Sequence, residues 1–139
     1  MTPAATAAGT RELPHPTREE IRLEGVLHAL SDPVRLRIVR DLAADSGALF
    51  SCSHFDLPVT KSTTTYHFRV LRESGVIRQT YRGTAKMNGL RRDDLDIVFP
   101  GLLDALLAAA ARQAAADRHD PLRRQGAEPP MNEPDERTR

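Results

Sequence analysis

The sequence predicts a mainly α-helical chain with one small β-hairpin. Three observations lead there. Apolar residues recur at helical spacing through most of the interior, two short β-prone runs flank a single Arg-Gly-Thr turn, and both ends lack residues that could fill a core. At 139 residues, 40% hydrophobic but only 4% aromatic, the chain suits one domain with tails and a modest core of Leu, Val, Ile and Ala.

Residues 1–16 are rich in Ala, Thr and Pro, and 117–139 read as a charged, proline-rich stretch, "DRHDPLRRQGAEPPMNEPDERTR". Both are expected to be disordered tails around a folded unit at 17–116. Thr17 followed by Glu20 forms a capping box that opens a first helix, with Ile21, Leu23, Val26, Leu27 and Leu30 on its apolar face. "SDP" then ends it and starts a second: Asp32 suits the cap and Pro33 the first helical position. Val34, Ile38, Val39 and Leu42 share one face, Arg35, Arg37 and Arg40 lie off it, and Ser46-Gly47 closes the helix.

In "ALFSCSHFDLPVT", Leu49, Phe50, Phe55 and Leu57 suggest a short helix that Pro58 ends. Thr60 caps the next helix. There Thr64, Phe68 and Leu71 point inward, Ser62, Tyr66 and Arg69 fall nearly opposite, and Gly75 supplies a left-handed C-terminal cap. "VIRQTYRGTAKMNGL" reads as a hairpin with basic arms. A helical region starting at Asp93 or Asp94 then carries a wide apolar stripe: Val98, Phe99, Leu102, Leu103, Leu106, Leu107, Ala110 and Ala114. Pro100-Gly101 kinks or restarts it. Helix, helix, short helix, helix, hairpin and helix, in that order, make a winged helix-turn-helix with an extra helix at each end.

The net charge is only +1, but its distribution is uneven. Between Lys61 and Arg92 eight basic residues (Lys61, Arg69, Arg72, Arg78, Arg82, Lys86, Arg91, Arg92) face one acidic residue, Glu73. Such a segment in a nearly neutral chain is a footprint for a polyanion. Four consecutive hydroxyl residues, Ser62 to Thr65, open the helix, where a solvated face would favour Glu and Lys. Short hydroxyls there let the backbone approach phosphates and base edges, while Tyr66 and Arg69, a turn further, reach into a major groove. The expected DNA contacts are therefore Lys61, Ser62, Thr63, Thr65, Tyr66 and Arg69, with Arg78, Arg82 and Lys86 from the hairpin. His67 falls between the two faces and is read as structural.

Cys52 stands alone, so no intramolecular disulfide forms. No apolar run reaches 18 residues, and the N-terminus lacks a basic start followed by an apolar stretch. A cytoplasmic protein is expected. Nothing resembles a nucleophile–base–acid set, a glycine-rich phosphate loop or a metal quartet, so neither catalysis nor a cofactor is expected.

"LSDPVRLRIVRDLA" resembles the Leu-x-Asp-Pro-x-Arg-Leu-x-Ile segment of the ArsR/SmtB-type bacterial repressors. "STTTYHFRVLRESGVI" is similar to the recognition-helix block of that family, with His67, Phe68, Leu71, Gly75, Val76 and Ile77 in the matching places, and "YRGTAKMNGL" sits where the family has its wing. The resemblance covers about Glu20 to Ala115. It implies a homodimeric transcriptional repressor that holds a palindromic operator and leaves it when a signal arrives. It also implies dimerisation through the first and last helices, here Ile21, Val26, Phe99, Leu103, Leu106 and Ala110. Metal sensors of the family carry a Cys-x-Cys-Asp box or paired Asp/His ligands on the last helix. Here Cys52 has no second cysteine beside it and 93–116 contains no histidine, so no metal is expected. Cys52 and His54 remain candidates for a sensor, against the plainer reading of Cys52 as a small hydrophobe beside Phe50 and Phe55. An unidentified small organic inducer is the other expectation. A competing reading keeps the winged fold as a protein-interaction module whose basic segment meets an acidic protein surface.

Overall fold

The computed structural model describes residues 10–45, 49–52, 55, 57–120 and 122. Its elements are β1 (Thr10–Glu12), a 3-10 turn (Arg18–Glu20), α1 (Leu23–Leu30), α2 (Pro33–Ala44), β2 (Phe50–Ser51), α3 (Lys61–Glu73), β3 (Ile77–Arg82), β4 (Ala85–Leu90), α4 (Arg92–Val98) and α5 (Leu102–His119). The chain divides into two units, Met1–Asp104 and Ala105–Arg139. Among the described residues no helix is long and apolar enough to cross a membrane.

Within the first unit the predicted faces of α2 and α3 meet. Ile38, Val39, Leu42, Phe68, Leu71, Val76 and Ile77 are buried almost completely. Asp32 Oδ2 accepts from the amides of Val34 and Arg35 at 2.9 and 3.0 Å, which satisfies two of the orphan donors at the start of α2; Pro33 has no N–H to satisfy. α3 ends at Glu73. Gly75 follows at φ 85°, and the Val76 amide returns to Leu71 O at 3.0 Å.

The four strands form one antiparallel sheet in the order β1-β3-β4-β2. Arg82 pairs with Ala85 across a two-residue turn in which Gly83 has φ 63° and Thr84 does not have a positive φ, as the type II′ turn requires.

Several expectations are corrected. The first helix does not run on from Thr17: Thr17 N donates to Glu20 Oε1 at 2.9 Å, but only a 3-10 turn follows, and Ile21 and Arg22 are extended before α1 begins. That break drops Ile21 into the core against Gly75, so a tertiary contact overrides local helix propensity. Phe50 lies in a strand rather than a helix, paired with Asn88 of β4, and Phe55 is buried with its ring 5.4 Å from that of Phe68. Arg35 is buried, not off the packed face. Within the stretch 1–16, Thr10–Glu12 form a strand rather than a disordered tail, because β1 satisfies the otherwise unpaired edge of β3; residues 1–9 lie outside the described residues. At the other end α5 continues to His119, past residue 116, and Gly101 at φ 81° separates it from α4, so Pro100-Gly101 restarts the helix. The expected Ser46-Gly47 stop lies outside the described residues.

Candidate nucleic-acid interface

The N-terminal turn of α3 is a small hydroxyl network. Thr60 Oγ1 accepts from the Thr63 amide at 3.3 Å and donates to Thr63 Oγ1 at 2.8 Å. Thr64 Oγ1 donates to Thr60 O and Thr65 Oγ1 to Lys61 O, both at 3.0 Å. The Thr65 proton is thus bonded back to its own helix, and the outward donors at this turn belong to Ser62 and Thr63. Lys61, Ser62, Thr65, Tyr66 and Arg69 are exposed and Thr63 is half-buried. Tyr66 is a large aromatic left 47% exposed, with the Arg69 guanidinium 5.6 Å from its ring centroid.

A buried polar clamp sets the height of α3. Arg35 Nε donates to Ala29 O at 2.7 Å and Nη2 to His28 O at 3.3 Å, while Nη1 lies 3.2 Å from His67 Nδ1. The first two bonds close carbonyls of the last turn of α1; the third ties α3 to that corner. Arg35 can only donate, so Nδ1 of His67 accepts and the imidazole is neutral with its proton on Nε2. Burial pushes the His67 pKa down; Asp32 pulls it back up and Arg35 adds to the fall. His67 is structural, as expected. Its partner Arg35 was missed because a lone arginine beside an apolar face gives no sequence signal of burial.

Half of the basic surplus is engaged inside the protein. Arg72 donates to Gln79 Oε1 at 2.9 Å and Arg92 to Asp104 at 2.8 Å. Buried Arg91 and exposed Arg18 each place Nε 2.9 Å from the Asp94 carboxylate. Arg78 Nη2 stands 3.9 Å from the same carboxylate, on the sheet face opposite Gln79. Burial pushes the Asp94 carboxyl up, but hydrogen bonds from Arg18 and Arg91 outweigh it and leave it below its ordinary value. Lys61, Arg69, Arg82 and Lys86 remain outside these pairs. Lys86 Nζ sits 5.6 Å from the Tyr81 ring centroid. Tyr81 was not among the residues expected here, nor was Arg11 of β1, whose guanidinium is 5.0 Å from that same centroid.

Cys52 is half-buried, and its Sγ accepts from Asn88 Nδ2 at 3.2 Å. Asn88 also bonds Phe50 O at 3.1 Å and accepts from Gln79 Nε2 at 2.7 Å, so the thiol ends a polar chain that runs through the sheet to Arg72. His54 lies outside the described residues. Among the described residues no group of three His, Cys, Asp or Glu could hold a metal ion.

The residues expected at a dimer interface divide. Ile21 and Val26 are 5% and 2% exposed within the single chain, and Leu103 and Ala110 are also buried. Phe99 and Leu106 are half-buried. Among the described residues the large aliphatic side chains left outward are Leu23 and Leu27, one turn apart on α1, Ile97 on α4, and Leu49 and Leu122.

Residues 30–80, from the end of α1 to the middle of β3, match a family model described as a helix-turn-helix domain. Over 90 residues the chain is 36% identical to an uncharacterised HTH-type transcriptional regulator, YceK, of Bacillus subtilis; the match covers 63% of this chain and 88% of that one. The chain belongs to the helix-turn-helix transcriptional regulators. Within that family of DNA-binding proteins, the matched domain spans α2, β2 and α3, with β3–β4 as its wing, and its sequence blocks resemble the ArsR/SmtB type. A solved structure, an ArsR-like transcriptional regulator from Rhodococcus sp. RHA1, is similar at 24% identity with a TM-score of 0.48, covering 70% of this chain and 92% of that one.

Proposed function

We propose that this helix-turn-helix regulator is a homodimeric repressor that reads a palindromic operator with α3 and leaves it in response to a signal. One observation supports the reading most: the face of α3 bearing Ser62, Tyr66 and Arg69 is exposed, while its opposite face is packed away. Ser62 and Thr63 meet phosphates at the helix start, Tyr66 and Arg69 enter the major groove, and Arg82 and Lys86 hold the flanking backbone. Arg78 is a weaker candidate, since it stands beside Asp94. A dimer would set two copies of α3 about 34 Å apart, one turn of duplex. Leu23, Leu27, Ile97 and Phe99 of the first unit and, separately, Leu106 of the second are the apolar side chains that would bury against the second copy. The inducer is a small organic molecule or a thiol reaction at Cys52.

Binding to duplexes from the protein's own promoter region, with excess nonspecific DNA and increasing salt, tests the reading. Specific binding is expected, and Arg82→Ala with Lys86→Ala should make the log–log salt slope shallower by about 2. No preference for any promoter duplex would refute sequence-specific regulation. Light scattering should give twice the 15.4 kDa chain mass; a monomer at binding concentrations would refute the dimer. Release of bound duplex by metabolites or oxidants, compared between the wild type and Cys52→Ser, separates the two kinds of signal.

A further inference from the structure

The wing carries a strand that nothing in the sequence announces. β1 pairs antiparallel with β3 in the register Thr10↔Arg82, Arg11↔Tyr81 and Glu12↔Thr80. Tyr81 in turn pairs with Lys86 of β4. Directly opposite residues share a sheet face, so Arg11, Tyr81 and Lys86 form one row across three strands. Gln79, two residues before Tyr81, lies on the same face and is bonded to Arg72 of α3. The row therefore continues, toward the wing tip, the face on which the recognition helix packs.

Its electrostatics are incomplete. Two cations flank one ring, at 5.0 and 5.6 Å from the centroid. The ring attracts each, but they repel one another, and among the described residues neither forms an ion pair. Glu12, next to Arg11, alternates to the other face. An anion placed at this row would gain from both charges. The strand is also firmly held. Beyond its ladder, Leu13 N donates to Gln79 O at 3.4 Å, His15 Nε2 accepts from Gln79 N at 2.9 Å, and Pro16 O accepts from Arg91 Nη1 at 2.8 Å. Thr10–Pro16 is thus an arm bonded to β3 and to Arg91, with Thr10 paired beside the wing tip.

We propose that β1 is a DNA-binding arm and that Arg11, set beside Lys86 on the Tyr81 ring, binds a backbone phosphate of duplex DNA next to the α3 contact. The inference rests on the DNA-binding reading above and adds to the wing a residue outside the helix-turn-helix match at 30–80. Tyr81 is a positioning residue, holding two long side chains in one place before the duplex arrives.

The test is fluorescence anisotropy of the full chain with a promoter duplex across a salt series. Arg11→Ala should bind about fivefold more weakly at about 0.15 M salt, with a slope shallower by about 0.9, the effect of one released counterion. Arg11→Lys should keep the slope, as should Tyr81→Phe, which retains the ring. Matched thermal melting of Arg11→Ala and wild type would exclude unfolding as the cause. Wild-type binding with Arg11→Ala unchanged in affinity and slope overturns the role of Arg11 and leaves the regulator reading intact. A wild type that binds no duplex in a salt-dependent way overturns both.

Discussion

Substituting alanine for Gly75 tests the joint between the recognition helix and the wing. Gly75 has φ 85°, a left-handed conformation that costs an L-residue about 1 kcal/mol. A Cβ there would also lie 2.6 Å from Ile21 Cγ1 and 2.9 Å from Cδ1, with Pro16 Cγ at 3.4 Å. Ile21 is 5% exposed and has little room to withdraw, so overpacking adds about 2 kcal/mol. The reduced freedom of the unfolded chain returns about 0.7 kcal/mol. The net loss is about 2 kcal/mol, or about 8 °C in melting temperature for a folded unit of about 100 residues. Circular dichroism melts of four proteins complete the test: wild type, Gly75→Ala, Ile21→Ala and the double variant. Ile21→Ala alone should cost about 3 kcal/mol through its cavity. The double variant should cost about 2 kcal/mol less than the sum, because the second methyl then enters vacated space. A Gly75→Ala melt within about 2 °C of wild type, or strict additivity, would show that Ile21 does not occupy the space over Gly75.

Other perturbations give separate readings. Arg35→Met should lose about 3 kcal/mol in urea unfolding, since it strands two α1 carbonyls and His67 Nδ1; Arg37→Ala, two residues along and exposed, should change stability by less than about 0.5 kcal/mol. Asp32→Ala removes the acceptor for two amides at the start of α2 and should cost about 1 to 2 kcal/mol in the same assay. Folded His67 and His15 both have lowered pKa values, burial being the largest cause in each. The unfolded chain therefore binds protons first: stability is complete above the ordinary histidine value of about 6.5 and is lost as pH falls through the folded values. Melts from neutral to mildly acidic pH should follow that decline, and His67→Gln should flatten it. Asp94, also lowered when folded, adds a second loss below the ordinary aspartate range, read as a later acid transition that Asp94→Asn removes. Tyr66→Ala should weaken duplex binding without moving the melting temperature, because its ring is exposed and, among the described residues, meets Arg69 and the tilted ring of His67.

The recognition helix is legible in the amino-acid sequence because its signals are local. Thr60 and Gly75 bracket it, and the spacing of Phe68 and Leu71 assigns its inner face within a single helical wheel. The wing hairpin is legible for the same reason: Gly83 marks a turn that only a few backbone conformations can make. The family resemblance adds the meaning of that order and spacing. The sequence therefore determined the helix-turn-helix, its wing and the side that faces outward.

Other features depend on partners distant along the chain. Nothing near Arg35 indicates that it will meet the carbonyls of α1 and a histidine 32 residues later. Nothing near Thr10–Glu12 indicates a strand, since three residues have no period to read and the partner edge is about 70 residues away. Composition counted eight basic residues between Lys61 and Arg92, but only packing decided that Arg72, Arg91 and Arg92 bond internally while Arg11, from outside that segment, joins the row with Tyr81 and Lys86. Local pattern specifies which backbone forms and which face is apolar. Which charges are neutralised, and which stay free to meet DNA, depends on distances of a few ångströms between segments that only the fold brings together.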